Sequence, residues 1–518
     1  MAENTLALLL ADGYKHVHAE QFPKGLTKLV SYMTPRKSRI PKLWNHMVFF
    51  GLQAFVKKYL VDYFNDNFFK LPLDQVIREY THVLDPMIGK GNYDLRKVID
   101  LHNLGYLPIS VAGLPEGTLV PMQVPCVEVT NTHDDFPWVV QWVESLMSAE
   151  LWKCCIHANV ALSYRMVVDK YYAETVEDSV DRSKAISDFG FRGMSSLEEA
   201  TKGSAAWLTS FSGTATIPAI PYLERYYYVD NEREHFATNA ISTEHSVMAS
   251  NFSVDGEERA FVKRLLTEKY PHASFSMVSD TYDYWNLVDN ILPSLKEEIL
   301  AHDGKLLVRP DSGDIIDISV KTIQHLWDIF GGTVNSKGYK VLDQHIGCVY
   351  GDGVTQMRAA TIYEQLKQLG FAANNIVFGA GSFSFNSIET VDDDGNHHFG
   401  PFTRDTFSVA IKATAGEVNG KFIEIFKDPK TDKVEGCNFK KSHRGVCKVY
   451  FDKEKNEYVC EDRQTNFPHH SLPTSLYQNA FECYFYDGRC THYQSLFDIR
   501  ERIREESARV VESATTEL

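Results

Sequence analysis

Between about residues 185 and 385 the chain repeats one pattern: a short continuous apolar run, a cluster of Asp, Gly, Ser or Arg, and often a helical stretch after it. The runs and their clusters are Ala185-Ile186 before Ser187-Asp188-Phe189-Gly190, Ala206–Leu208 before Ser210–Thr214, and Phe275–Val278 before Ser279-Asp280. They continue as Leu306–Val308 before Arg309–Asp314, Ile346–Tyr350 before Gly351-Asp352-Gly353, and Ile376–Phe378 before Gly379–Ser382. Unbroken apolar runs suit strands buried on both faces of a parallel sheet. Apolar spacings of three and four predict helices over Tyr282–Leu300, Ile318–Phe330 and Thr355–Leu369. Strand, cluster and helix repeated in this way predict an α/β barrel or a doubly wound sheet. In a barrel the clusters gather at one mouth.

The flanks follow a different period. Residues near 105–130 and 405–460 alternate apolar and polar positions between Pro/Gly turns, which predicts antiparallel β structure. The expected organisation is a β-rich domain built from both chain ends around a central barrel. Its parts are 1–150, 151–390 and 391–518. The segment Thr390–Pro401 reads as a solvated loop or hairpin turn, with His397-His398 as an alternative metal-binding pair. The charged tail after about Arg504 is expected to fray.

Composition narrows the function. A hydrophobic fraction of 44% over 518 residues supports two or three cores rather than a disordered chain. The net charge of −16 disfavours nucleic acid and anionic membranes as partners, so an anionic metabolite needs a local cationic cluster. The nine cysteines show no C-x-x-C pair or zinc spacing, and reduced thiols are expected. The run Leu6–Ala11 is too short for a signal peptide, and Met47–Leu60 is interrupted by Lys57 and Lys58. The expectation is a cytoplasmic protein.

The candidate chemistry sits in the clusters. Arg309–Asp314 joins a forked cation, acids and a flexible turn, a combination that grips an oxyanion and a metal or sugar hydroxyl; a solvated Arg–Asp turn explains it equally well. Gly351-Asp352-Gly353 and Gly379–Ser382 suit close approach of backbone N–H groups to phosphate. His245, beside Glu244, is a candidate phospho-acceptor or base against a structural role. Tyr14 and Phe189 are loop aromatics suited to stacking on a flat ring, or to core packing.

Taken in order, the segments LLLADGYKHVHAEQFP, VFFGLQ, LPEGTLVP, SDFGFRGMSS, SFSGTAT, STEHS, SMVSDTYD, LLVRPDSGD, SKGYK, YGDGV, VFGAGS, FTRD and FKDP resemble the nicotinate/nicotinamide phosphoribosyltransferase family from about Leu8 to about Arg500. The resemblance implies an irregular α/β barrel of the type II phosphoribosyltransferase kind plus the β-rich domain. It also implies a head-to-tail homodimer with shared active sites. By carry-over, Phe189 stacks on one pyridine face, Tyr14 of the second subunit on the other, and Arg309 bonds the amide oxygen. Asp188 lies in the substrate pocket. Arg192, Gly351, Asp352, Gly381 and Ser382 hold the ribose and its phosphate. Arg36, Arg404, Lys412 and Lys427 line the diphosphate/ATP side. Asp280 and Asp311 position Mg²⁺, and His245, held by Glu244, takes a phosphoryl group from ATP.

The implied reaction joins nicotinamide to phosphoribosyl diphosphate. The chain departs from the family pattern at Ala215, where an aspartate is usual, and at Ser187, Ser382 and Phe383. Those departures leave open nicotinamide against nicotinate, and a phosphoribosyl against an ADP-ribosyl donor.

Overall fold

The computed structural model describes residues 5–392, 394–427, 442–468 and 479–516. Cys437 lies outside them. The chain divides into two compact units, one from the described residues of 1–159, 223–229 and 403–518, the other from 160–222 and 230–402.

In the second unit, seven parallel strands stand in the order Gly213–Thr214, Ile186–Asp188, Ile376–Ala380, Ile346–Tyr350, Leu306–Arg309, Phe275–Val278 and Ile241–Ser242. Five of the six predicted apolar runs form its strands; the sixth, Ala206–Leu208, instead closes the helix Leu197–Trp207, and the strand there is the short Gly213–Thr214 in the cluster that follows. Phe275–Val278 and Ile346–Tyr350 are buried throughout, as strands covered on both faces must be. The sheet edges meet through a parallel bridge between Gly213 and Thr238, with Thr214 N–H donating to the Thr238 carbonyl at 2.9 Å. The sheet therefore curls into an irregular barrel.

Helices pack where the spacing predicts them. Ile315–Phe330 is capped by the Asp314 carboxylate and buries Ile318, Ile323 and Leu326 on one stripe. Gln356–Gln368 is capped by the Thr355 hydroxyl. The third expected helix is broken between Leu292–Ser294 and Lys296–Ala301, at Leu295 (φ −118°, ψ 17°). The segment after Asn386 is a hairpin, Ser387–Val391 against His397–Pro401, in agreement with the turn expected there.

In the first unit a seven-stranded sheet runs Lys421–Glu424, Ala410–Val418, Leu26–Thr34, Val127–Asn131, Ile109–Gly113, Glu482–Tyr486 and Arg489–Cys490. All its pairings are antiparallel, and it takes strands from both chain ends, as the flanking alternation predicts. The chain ends in the helix Leu496–Thr516, whose first two turns bury Leu496, Ile499 and Ile503 on a three- and four-residue spacing.

Candidate active site

The C-terminal ends of the barrel strands converge on a cavity of about 920 Å³. Phe189, Arg192, Arg309, Asp311, Gly351, Asp352, Gly381 and Ser382 line it, together with Ala215. Phe189 and Ser382, 193 positions apart in the chain, are thus brought to one mouth by the order of the strands.

Phe189 follows its strand directly, its N–H bonded to the Ala380 carbonyl at 2.9 Å. Its ring lies on two glycines: a Cβ at Gly379 would stand 2.1 Å from it, and one at Gly351 2.9 Å. The glycines thus make room for an aromatic ring, a different reason from the phosphate approach read from the sequence. Asp188 is also recast. Its buried carboxylate accepts from Gly190 N–H at 2.7 Å, the Thr214 hydroxyl at 3.0 Å and the Thr216 hydroxyl at 2.7 Å. With three donors from the protein, it fixes the loops around Phe189 and Ala215.

Arg309 meets Asp311 through one contact, Nη2 to Oδ2 at 3.5 Å. Its Nε is buried with no hydrogen-bond partner. A buried guanidinium N–H left unmade costs about 1–3 kcal/mol or more, so the site is built for an acceptor from outside the chain.

His245 opens the helix His245–Asp255. Its Nδ1 stands 3.2 Å from the Thr281 hydroxyl, and its Nε2 3.8 Å from Asp280 Oδ1 and 3.7 Å from Asp311 Oδ2. Glu244 does not hold it: that carboxylate accepts from the Ser246 hydroxyl, because Glu244 is the extended residue before the helix and its side chain turns along the first turn. Asp280 Oδ2 accepts from Ser312 at 2.5 Å, while buried Oδ1 has no hydrogen-bond donor. Burial, followed by the charges of Asp352, Asp311, Asp280 and Asp314, pushes the Tyr350 hydroxyl up to about 12. A crowd of carboxylate oxygens with one buried and unmade fits a hard divalent cation such as Mg²⁺.

The remaining expected residues belong to the first unit. Tyr14, on the short helix Gly13–Val17, is 58% exposed. Lys412 pairs with Glu144 at 3.0 Å. Arg36 donates through Nε to the Ser408 carbonyl at 3.0 Å, and burial plus the like charge of Arg404 hold its guanidinium below its ordinary value, partly offset by Asp405. Like charges that act on one another suit an anion. Arg36 and Lys412 line a second, smaller cavity. The Lys427 N–H donates to Ser442 Oγ at 3.0 Å.

The sequence reading missed Thr281, Arg358 and Phe399. Arg358 lines the cavity, donates to the Gly353 carbonyl at 3.0 Å and pairs with buried Glu389 at 3.3 Å. Its signal was an Arg three residues into a helix that follows a glycine cluster. Phe399 lines the cavity next to Phe383, ring centroids 5.4 Å apart.

A barrel whose strand ends carry a stacking ring, a forked cation and paired carboxylates defines a phosphoribosyltransferase-type site. The comparisons agree: residues 184–466, more than half of the chain, match the nicotinate phosphoribosyltransferase (NAPRTase) family, and the chain belongs to that family. Residues 6–110 match the nicotinamide phosphoribosyltransferase N-terminal domain. Within the family the chain is similar to proteins named nicotinamide phosphoribosyltransferase. The one from Acinetobacter baylyi is 35% identical, over 96% of each chain. The one from Mycoplasma pneumoniae is 31% identical, over 82% of this chain and 92% of that one. In fold it is similar to human nicotinic acid phosphoribosyltransferase, with a TM-score of 0.58 at 15% identity over 97% of this chain and 94% of that one.

Proposed function

We propose that this protein is a nicotinamide phosphoribosyltransferase, forming nicotinamide mononucleotide and diphosphate from nicotinamide and phosphoribosyl diphosphate. The observation that carries this reading is the pairing, in one cavity, of the Phe189 ring with an Arg309 guanidinium whose buried Nε lacks an acceptor. Phe189 stacks on the pyridine, and Arg309 donates to the amide oxygen. That orientation aims the ring nitrogen at the ribose C1. The nitrogen lone pair forms the new bond as the bond from C1 to the diphosphate oxygen breaks, and the electron pair leaves with diphosphate. The nitrogen carries no proton, so no general base is required; alignment and charge neutralisation do the work.

Arg192, Gly351, Asp352, Gly381 and Ser382 hold the ribose and its 5′-phosphate. Asp280 and Asp311 would hold Mg²⁺, which supplies charge neutralisation at the leaving diphosphate. Tyr14 of a second subunit closes the other pyridine face in a cytoplasmic homodimer. Arg36, Arg404, Lys412 and Lys427 bind the diphosphate and ATP. His245 accepts a phosphoryl group from ATP on Nε2, with Nδ1–H turned to Thr281. The His245→Ala variant is expected to show the same rate with and without ATP and no acid-labile phosphate. Undiminished ATP stimulation in that variant excludes the assignment.

A second reading keeps the pyridine site and enlarges the donor to ADP-ribose diphosphate. Phe383 and Phe399 favour it, since they are 42% and 48% exposed and offer aromatic surface beside Ser382 that a phosphoribosyl group does not need. One experiment separates the two. The protein is incubated with Mg²⁺, nicotinamide or nicotinate, and each donor, and products are identified by mass. Mononucleotide from nicotinamide is expected. NAD formed in one step establishes the second reading, and no product from any pair overturns both.

A further inference from the structure

We infer that His443, Cys447 and Cys460 form a second metal site, closed by Asp462, for a thiophilic divalent cation of the zinc class. The site lies in the first unit, on the hairpin Val446–Asp452 with Glu457–Gln464, and is separate in residues and in chemistry from the carboxylates around His245.

The hairpin register puts the ligands on one face. Val449 pairs with Cys460 and Lys448 with Glu461, while Val446 pairs with Gln464. The extra residue lies on the second strand, where Arg463 takes the left-handed conformation at φ 63°. Side chains two apart share a face, so Cys447 joins Val449, and Cys460 and Asp462 meet them from across the ladder. His443 reaches the same point from the segment just before the hairpin. One ring nitrogen of His443 and the two sulfurs all lie within 4.8 Å of one another. Atoms around a tetrahedral zinc with Zn–S near 2.3 Å stand about 3.8 Å apart or less. Small side-chain rotations close the difference.

Two further observations point to a cation. His443 Nε2 stands 2.9 Å from the Gln123 carbonyl, an acceptor only, so Nε2 carries the proton and the Nδ1 lone pair is left for a metal. Metal-bound histidines are oriented by this kind of outer hydrogen bond. Asp462 Oδ2 lies 3.7 Å from that Nδ1 and is itself oriented by the Arg444 N–H at 3.2 Å. Two thiols, one imidazole and one carboxylate select zinc-like ions over magnesium, which prefers oxygen alone. Cys447 is 1% exposed and its N–H donates to the Tyr32 hydroxyl at 3.1 Å, so a bound ion would fasten the hairpin to the sheet strand Leu26–Thr34. That strand leads to Arg36, which shares the smaller cavity with His443. The inferred role is structural: it fixes the frame of the anion-binding cations.

The test uses the full chain, reduced and stripped of metal with a chelator, titrated with Zn²⁺ alone in buffer containing excess Mg²⁺. One equivalent per chain is expected, and Co²⁺ in its place is expected to give a thiolate-to-cobalt charge-transfer band. Cys460→Ser, at a partly buried position, and His443→Gln are each expected to weaken Zn²⁺ binding at least about 100-fold while circular dichroism stays native. Substoichiometric Zn²⁺ on the wild type, or Zn²⁺ affinity unchanged in both variants, overturns the site. A Cys447–Cys460 disulfide in unreduced peptides of the freshly isolated protein overturns it as well.

Discussion

Ala215 lines the cavity at the position where the family carries an acid, and the carboxylate of Asp188, whose backbone carbonyl accepts from the Ala215 N–H, is occupied by Gly190, Thr214 and Thr216. A carboxamide N–H₂ bound there lacks the family acceptor, a loss of about 1–3 kcal/mol, or roughly 5- to 150-fold. Ala215→Asp is therefore expected to raise kcat/KM for nicotinamide relative to nicotinate by at least about fivefold, measured by competing the two substrates. Arg309 carries the opposite expectation. Lysine keeps the charge but loses the fork, so Arg309→Lys lowers kcat/KM for nicotinamide by about 10- to 100-fold, read from initial rates at low nicotinamide. At this scale Arg309 and Phe189 each had two readings as single residues, and it was the order of the motifs around them that picked out the pair now found lining one cavity. Other residues with two uses were not legible. A glycine admits a phosphate or a neighbouring ring, and only the fold shows that Gly379 and Gly351 face Phe189. Glu244 and His245 are adjacent in sequence, yet the helix start turns them apart, and the residues facing His245 come from two other strand ends.

Among the elements, the buried strands and their helices were readable because burial on both faces leaves unbroken apolar runs. The pairing of Arg358 with Glu389 and of Phe383 with Phe399 was not, because each joins a barrel helix or loop to the hairpin Ser387–Pro401 through space. Another element-scale device is Glu116, fully buried among the helix start at Gly51 and Gln53 and the end of the helix Ala219–Tyr227. It accepts from the Gly51 N–H at 2.9 Å, from the Gln53 N–H, and from the Tyr227 hydroxyl at 3.0 Å. Burial pushes its carboxyl up to about 7 from 4.5, against the pull of those donors. Between these values the folded chain keeps a proton that the unfolded chain has lost, so stability from this group is full below 4.5 and falls as pH rises to 7. The change is about 3 kcal/mol. Glu116→Gln cannot titrate. The stability of the wild type minus that of the variant, from urea unfolding, is expected to decrease by that order from pH 4.5 to pH 8.

For the whole molecule, the antiparallel sheet assembled from both chain ends was legible in the flanking alternation, while its strand order was not, since pairing across hundreds of residues leaves no local mark. Tyr14 is 58% exposed, so its ring is open to contact, and the proposed shared site makes a testable demand of it. If each site draws Phe189 from one chain and Tyr14 from another, Tyr14→Ala and Phe189→Ala proteins, each weak alone, recover activity when unfolded and refolded together. Random pairing then leaves about a quarter of the sites intact, so about a quarter of wild-type activity is expected in the mixed sample. The pyridine clamp itself is tested most directly by a crystal structure of the protein grown with nicotinamide. The account predicts the ring parallel to Phe189, with its amide oxygen within hydrogen-bond distance of the Arg309 guanidinium. Nicotinamide bound elsewhere, or bound in that cavity with Arg309 turned away from it, would contradict the account.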